Sequence, residues 1–472
     1  MHRLGPRFIE SDSPASPDFP LGPHMVSLAP EVRWTNKDLD TLRTTGDEPA
    51  DATIRLWEKQ HGSGSAHALA NVLMGFEHHK DVDTLINLLA TEHPATAAAI
   101  DPRLRWAECR CSDEELQSGQ RLFEEHGLKV LMNLVFYSLP AAYAAQNGVR
   151  VMNPKTGSTG FLVKDLNRRL IETAQFVIDV LTPAGLDIAS AGSIADHGPA
   201  VRSALRVRLL HATIRSRIFG STQKWPVEQF GVPVNQEDMS GTLLTFSWVV
   251  LDGLRKLHLD VEPAKEVSFL GVWRKVGALL GVDLIPENLD EAEKLMKSIK
   301  ARQIDAPIRE GIVNEQGREM TRLLLDFTRA ALPFPLRLFR RLPATVMRFF
   351  LPPEVATSLG VPRTFLLDEL VKLWFYIEAK VTKFAFFDAV NRAVFTEWGT
   401  KDKRVASLFQ FSRFFTKRLV RHIQAIDRNV PLEIKHRTAH VDLRGMDEKW
   451  AFGQADFLTR GVRQIRRRVT RR

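Results

Sequence analysis

The chain has 472 residues, enough for one large domain or two to three ordinary ones, and its 44% hydrophobic and 26% charged content is that of a folded globular protein. Its two cysteines, Cys109 and Cys111, exclude a disulfide-stapled secreted scaffold, and no apolar run reaches the ~18 residues of a membrane-spanning helix. The net charge of +9 belongs to one end: residues 460–472 carry seven arginines and no acid, which leaves the body near +2.

Residues 1–30 hold six prolines among Ser, Asp and Gly and read as a disordered leader. They lack the apolar core of a secretory signal, so the cytoplasm is the expected compartment. Ordered structure is expected from Trp34, with Asn36 capping a helix that carries Leu39 and Leu42. Ala50, Ile54 and Trp57 continue at helical spacing, as do Leu366, Leu370, Leu373 and Ile377 much later, while period-two alternation is scarce. Proline and glycine clusters such as Gly231-Val232-Pro233 and Pro352-Pro353 punctuate these runs. The pattern predicts an all-α protein with a main domain over residues 31–400 and a helical C-terminal extension over 401–472 that ends in the basic tail. The extension's run Leu408, Phe411, Phe414, Phe415 and Leu419 is suited to core or partner packing, or to lying on a membrane surface. The arginine tail is either a solvated end or a contact with acidic lipid. Nucleic acid is not an expected partner, because the arginines lack interleaved aromatics for stacking on bases.

Three segments could carry chemistry. In residues 168–181, Arg169, Glu172, Thr173 and Phe176 follow i, i+3, i+4, i+7 and share one helix face, where polar groups interrupt an apolar stripe. They could place a cation, a carboxylate and a hydroxyl near a substrate, or form a buried salt-bridge patch with the Thr hydroxyl bonded to its own helix. In residues 204–219, Val207, His211, Ile214 and Ile218 fall in one sector, with Arg208 and Arg215 one turn before and after the histidine. Two guanidinium groups there are costly unless anions meet them. A haem would account for the whole group, the imidazole on iron, the arginines on the propionates and the aliphatics against the porphyrin. Ordinary salt bridges around a structural histidine account for it as well. In residues 230–246, Asn235 is a good N-cap with Glu237 and Asp238 in the first turn, which reads as the start of a helix rather than as catalysis. No zinc spacing, H-E-x-x-H helix, G-x-G-x-x-G turn, P-loop or G-x-S-x-G elbow is present.

Taken in order, the motifs TGDEPADA at 45–52, SLPAAY at 138–143, RRLIET at 168–173, RVRLLHA at 206–212 followed by Arg215, GVPVNQED at 231–238, WRKVG at 273–277 and LGVP at 359–362 resemble those of the rubber-oxygenase (latex-clearing protein) family. That family also includes the fungal oxygenase that trims a prenyl chain in mycophenolic acid biosynthesis. The resemblance implies an all-α fold with a globin-like core around haem b, and use of dioxygen to cleave carbon–carbon double bonds of isoprenoid chains. It implies His211 as the proximal iron ligand, Arg208 and Arg215 in the haem environment, Arg169 and Thr173 on the distal side, and Arg348 as a further arginine for haem retention. Where polymer-cleaving members have lysine in Arg-x-x-Lys-Thr, this chain has Glu172. A carboxylate accepts hydrogen bonds and can act as a base, so Glu172 is expected to take an allylic proton or to polarise the bound oxygen, with Arg169 and Thr173 positioning the charge. The expected substrate is accordingly a smaller apolar or prenylated molecule rather than rubber, met in the cytosol or at a membrane, with an electron donor that the sequence does not name. A haem-binding protein without oxygenase activity, and a haemless helical scaffold docked on membranes, are the alternatives.

Overall fold

The computed structural model describes residues 34–62, 94–109, 111–152, 166–190, 196–221, 224–331, 340–382, 434–436 and 439–441, with a few single positions between them. The leader at 1–30, the apolar run at 408–419 and the arginine tail at 460–472 lie outside the described residues. The chain divides into two units, Met1–Phe415 and Thr416–Arg472. In the second, the described residues form an antiparallel hairpin of Ile434–His436 and Ala439–Val441, with Ile434 opposite Val441. Strands of three residues are too short to show as alternation in the sequence.

The first unit is helical throughout its described residues, as the periodicity predicts. Helix α1 (Asn36–Arg43) is capped by Thr35, one residue before the expected Asn36. Thr35 has an acid three residues on: the Asp38 amide donates to its hydroxyl at 3.2 Å, and its own amide donates back to Asp38 Oδ2 at 2.9 Å. Helix α2 (Glu48–His61) starts at Asp47, with Pro49 in its first turn. Helix α3 (Asp113–Asn133) opens on a Ser112–Glu115 capping box and runs through a π-helical turn, Leu134–Ser138, into α4 (Leu139–Ala144). Helices α5 (Leu166–Leu181) and α6 (Pro199–Phe219) carry two of the candidate segments. The third opens α7 (Gln236–Phe246), where Asn235 Oδ1 accepts from the Asp238 amide at 2.9 Å, the cap expected from sequence. Then follow α8 (Trp248–Lys256), α9 (Pro263–Leu279) and α10 (Leu289–Lys300), the last extended by a second π-helical turn, Ala301–Asp305. Helices α11 (Glu315–Ala331), α12 (Leu342–Phe350) and α13 (Phe365–Thr382) complete the unit.

Two large apolar clusters hold these helices together. One gathers Leu122 of α3, Val177 and Leu181 of α5, Val201 of α6 and Phe269 and Trp273 of α9. The other gathers Leu39 and Leu42 of α1, Leu295 of α10, Leu324 of α11 and Met347 and Phe350 of α12. A smaller cluster joins Ala50 and Ile54 of α2 to Leu205, Leu209 and Ala212 of α6. Helix α13 docks through Val371 and Phe375, leaving Leu366, Leu370, Leu373 and Ile377 exposed. The periodic run read from sequence is thus a helix whose apolar residues at those four positions point outward. Among the described residues no helix is long and apolar enough to cross a membrane.

Candidate functional site

Helices α4 to α7 enclose a cavity of about 340 Å³, completed by residues of α9 and α10. Leu139, Val149, Phe176, Ile214, Phe246, Trp273 and Ile299 give it mostly apolar walls. Both π-helical turns border it: the first leads directly into Leu139 and Tyr143, and the second contributes Gln303 and Ile304. An inserted residue of that kind redirects the side chains that follow it, and such turns recur at functional sites.

His211, Arg169 and Thr173 all line this cavity, as does Tyr143. Burial, reinforced by the Arg215 charge and opposed by Asp47, pushes the His211 pKa down to about 3. The imidazole is therefore neutral, and its Nδ1 is buried with no hydrogen-bond partner among the described residues. A neutral imidazole in an apolar wall can ligate a metal centre or accept a proton bond. Tyr143 is pushed up to about 12 by burial, against the nearby Arg169 charge, and stays a phenol.

The arginines beside His211 meet acids from the chain's own α2 region. Arg208 donates from Nε to Asp47 Oδ2 at 2.6 Å and from Nη2 to Asp47 Oδ1 at 2.9 Å, with 1% and 2% of the two side chains exposed. Arg215 donates from Nε to Asp51 Oδ1 at 2.7 Å and from Nη1 to the Val234 carbonyl at 2.9 Å, while its Nη2 is buried with no partner among the described residues. The motifs TGDEPADA and RVRLLHA are thus halves of one ion-paired contact, and neither arginine lines the cavity.

Two other expected residues stand apart. Glu172 is half-buried on α5 but is not part of the cavity lining. Arg348, on α12, donates from Nη2 to the Val361 carbonyl at 2.8 Å and from Nε to the Pro362 carbonyl at 3.0 Å, tying α12 to the loop before α13. It too is outside the lining.

A second polar group stands in the cavity wall, and the sequence offered two of its members only as the start of a helix. It consists of Glu237, Asp238, Lys300 and Gln303. Glu237 is fully buried and accepts from Arg43 Nη1 at 2.9 Å and from Gln303 Nε2 at 3.1 Å. Burial, opposed by Arg43 and reinforced by Glu237, raises the Asp238 pKa to about 6. The signal in the sequence was two consecutive acids at a helix start, one more than a cap requires.

Residues 126–377 match the family model described as "ER-bound oxygenase mpaB/B'/Rubber oxygenase, catalytic domain". The rubber oxygenase of Streptomyces sp. (strain K30) is 24% identical over 211 residues, which are 44% of this chain and 47% of that protein. The match therefore spans about half the length of that relative. The structure of latex clearing protein LCP in the closed state superposes with a TM-score of 0.54 at 18% identity, covering 80% of this chain and 91% of that one. At that identity the likeness is one of fold.

Proposed function

The chain belongs to the family of ER-bound mpaB/B' and rubber oxygenase catalytic domains, and we propose that it is a haem b-dependent oxygenase. It uses dioxygen to oxidise or cleave a C=C bond of an isoprenoid or lipid-like small molecule, and His211 is the residue that would hold the iron. The observation that carries this reading is a buried, neutral His211 opening into an apolar-walled cavity beside Arg169 and Thr173.

The residues fit such a cofactor in part. No group of three or more His, Cys, Asp or Glu is placed to hold a metal ion among the described residues, so a lone imidazole suits a metal that brings its own ring of ligands. The orphaned Nδ1 of His211 leaves that ring's orientation to be set by what it binds, and the orphaned Nη2 of Arg215 is a cation with a valence to spare for a carboxylate. Arg208 gives two of its five N–H donors to Asp47 in a buried pair and stands outside the cavity lining.

When bound, the haem supplies the dioxygen and electron-transfer chemistry. The chain's own part is to shape and dry the site. Phe176, Ile214, Phe246 and Trp273 exclude water and hold an alkene by dispersion. Arg169 and the Thr173 hydroxyl offer fixed donors where negative charge develops on oxygen. Tyr143, kept protonated, is a further donor in the same wall. Glu172 shares a helix with Arg169 without lining the cavity, and no contact with substrate is assigned to it.

The visible spectrum of the purified protein beside His211→Ala, with haem content measured on both, tests the reading. A Soret band at about one haem per chain, lost or shifted in the variant, together with alkene-dependent oxygen uptake, is the expected result. A protein that stays colourless after haem supplementation and consumes no oxygen overturns it.

A further inference from the structure

The polar groups of the cavity come from two sets of helices, and the reading above uses only one of them. His211, Arg169, Thr173 and Tyr143 come from α4, α5 and α6, whereas Asp238 comes from α7, with Lys300 and Gln303 from the end of α10 and the turn after it. A hydrocarbon gains nothing from a carboxylate in the wall, and burying one without partners is costly.

The hydrogen bonds of this second group leave one member with acceptor capacity to spare. Glu237 is taken by Arg43 and Gln303. Lys300 is taken by Asp305, at 2.6 and 2.7 Å to its two oxygens. Asp238 accepts one short side-chain bond, from Asn235 Nδ2 to Oδ2 at 2.9 Å. Its Oδ1 has only longer neighbours, Gln303 Nε2 at 3.3 Å and Arg43 Nη1 at 3.5 Å. An ionised carboxylate has about four lone-pair sites, so Asp238 keeps acceptor capacity in a wall where 13% of its side chain is exposed. Gly148 lies against the same oxygen: a Cβ there would stand 3.2 Å from Asp238 Oδ1. Gly148 lines the cavity as well, so no side chain from that position crowds Oδ1.

We propose that Asp238 receives the hydroxyl end of an amphiphilic substrate whose apolar chain runs along the cavity walls. The inference rests on the reading of this cavity as the substrate site, and it narrows the substrate class from any alkene to an isoprenoid or lipid-like chain bearing an alcohol or phenol. Asp238 is then a specificity-determining residue: the remaining lone pairs of its carboxylate accept the donor that a hydrocarbon lacks, and Gly148 keeps the approach clear.

The test is binding to the full-length holoprotein of farnesol and of farnesene, the matching hydrocarbon without the hydroxyl, followed by quenching of tryptophan fluorescence, since Trp273 lines the cavity. A hydrogen bond to a charged acceptor predicts that farnesol binds about 10-fold more tightly or better. Asp238→Leu abolishes the preference, and Asp238→Asn, which keeps an acceptor oxygen, retains part of it. Gly148→Ala, which crowds Asp238 Oδ1 from the cavity side, weakens farnesol binding while sparing farnesene. Equal affinities in the parent protein, or a preference that survives Asp238→Leu, overturn the proposal. So does failure of both ligands to bind. In each of those cases a haem spectrum and alkene-dependent oxygen uptake leave the oxygenase reading standing. Loss of haem and oxygen uptake with the farnesol preference intact has the opposite meaning, sparing the proposal and removing the oxygenase.

Discussion

A proton on His211 would sit in a buried wall near the charges of Arg215 and Arg169, which is why its pKa falls from 6.5 to about 3. The unfolded chain takes up that proton near pH 6.5 and the folded chain does not, so the contribution to stability is full above 6.5 and is lost as pH falls towards 3. The parent protein is expected to lose about 1.4 kcal/mol more than His211→Leu for each pH unit within that window, read from denaturant unfolding at pH 7, 5.5 and 4.5. Parallel pH profiles would show the imidazole to be protonated in the fold. Asp238 works in the opposite direction. Its folded pKa of about 6 lies above the ordinary 3.8, so its contribution is full below 3.8 and is lost as pH rises through 6. Asp238→Asn should therefore gain about 1–3 kcal/mol on the parent at pH 7.5 and nothing at pH 4. A stabilisation that does not depend on pH would place the carboxyl's burden elsewhere.

At the scale of elements, close approach decides more than propensity does. Gly119 on α3 faces α9 so closely that a Cβ would stand 2.4 Å from the Ser268 carbonyl oxygen, a backbone atom that cannot swing aside. Gly127 on the same helix would meet only the Phe123 ring, at 3.4 Å or more. Gly119→Ala is expected to cost about 1–3 kcal/mol in thermal unfolding, and Gly127→Ala to cost nothing or to stabilise by up to about 1 kcal/mol. Equal effects would mean that the α3–α9 contact is not set by backbone proximity. Elements were also where the sequence was most and least readable. Periodicity showed α5 and α6 and the polar-interrupted stripe of each, whereas the grouping of Arg169 and Thr173 with His211 was implied by the family resemblance alone. Periodicity could not say which way α13 faces, since Val371 and Phe375 make one apolar side and Leu366, Leu370, Leu373 and Ile377 another. The π-helical turns at Leu134–Ser138 and Ala301–Asp305 have no local signature, and Gln303 was missed with them. Asp238 reads as helix architecture in the sequence for a different reason: its amide completes the Asn235 cap and its charge suits the helix N-terminus, so the pattern gives no sign that it faces a cavity.

Across the whole first unit, segments distant in the chain converge on one polar network that joins the two walls of the cavity. The Arg43 carbonyl accepts from the Val232 amide at 2.8 Å, and the Thr45 carbonyl from the Gln236 amide at 2.9 Å. The Gln236 side chain donates to the carbonyls of Gly46 and Gly281, each at 3.0 Å, and accepts from the Asp283 amide at 2.9 Å. Gly281 holds a φ of +74°, and a Cβ there would stand 2.2 Å from Asp47 Oδ2, so this corner needs glycine on two counts. Asp47 and Arg208 are the buried centre of the network, and its outer members reach α6, which bears His211, and α7, which bears Asp238. Asp47→Ala leaves the Arg208 charge buried without its partner and should cost about 3–5 kcal/mol, whereas Asp47→Leu with Arg208→Met, which removes both charges, should return close to parent stability. Haem content of that stable double variant then decides what Arg208 is for. On the haem reading proposed above, the expected result is unchanged haem, because Arg208 holds α2 to α6 through Asp47 and stands outside the cavity lining. Loss of haem with stability retained would assign Arg208 to the cofactor, as the family resemblance implies, and make Asp47 the residue that holds it in place.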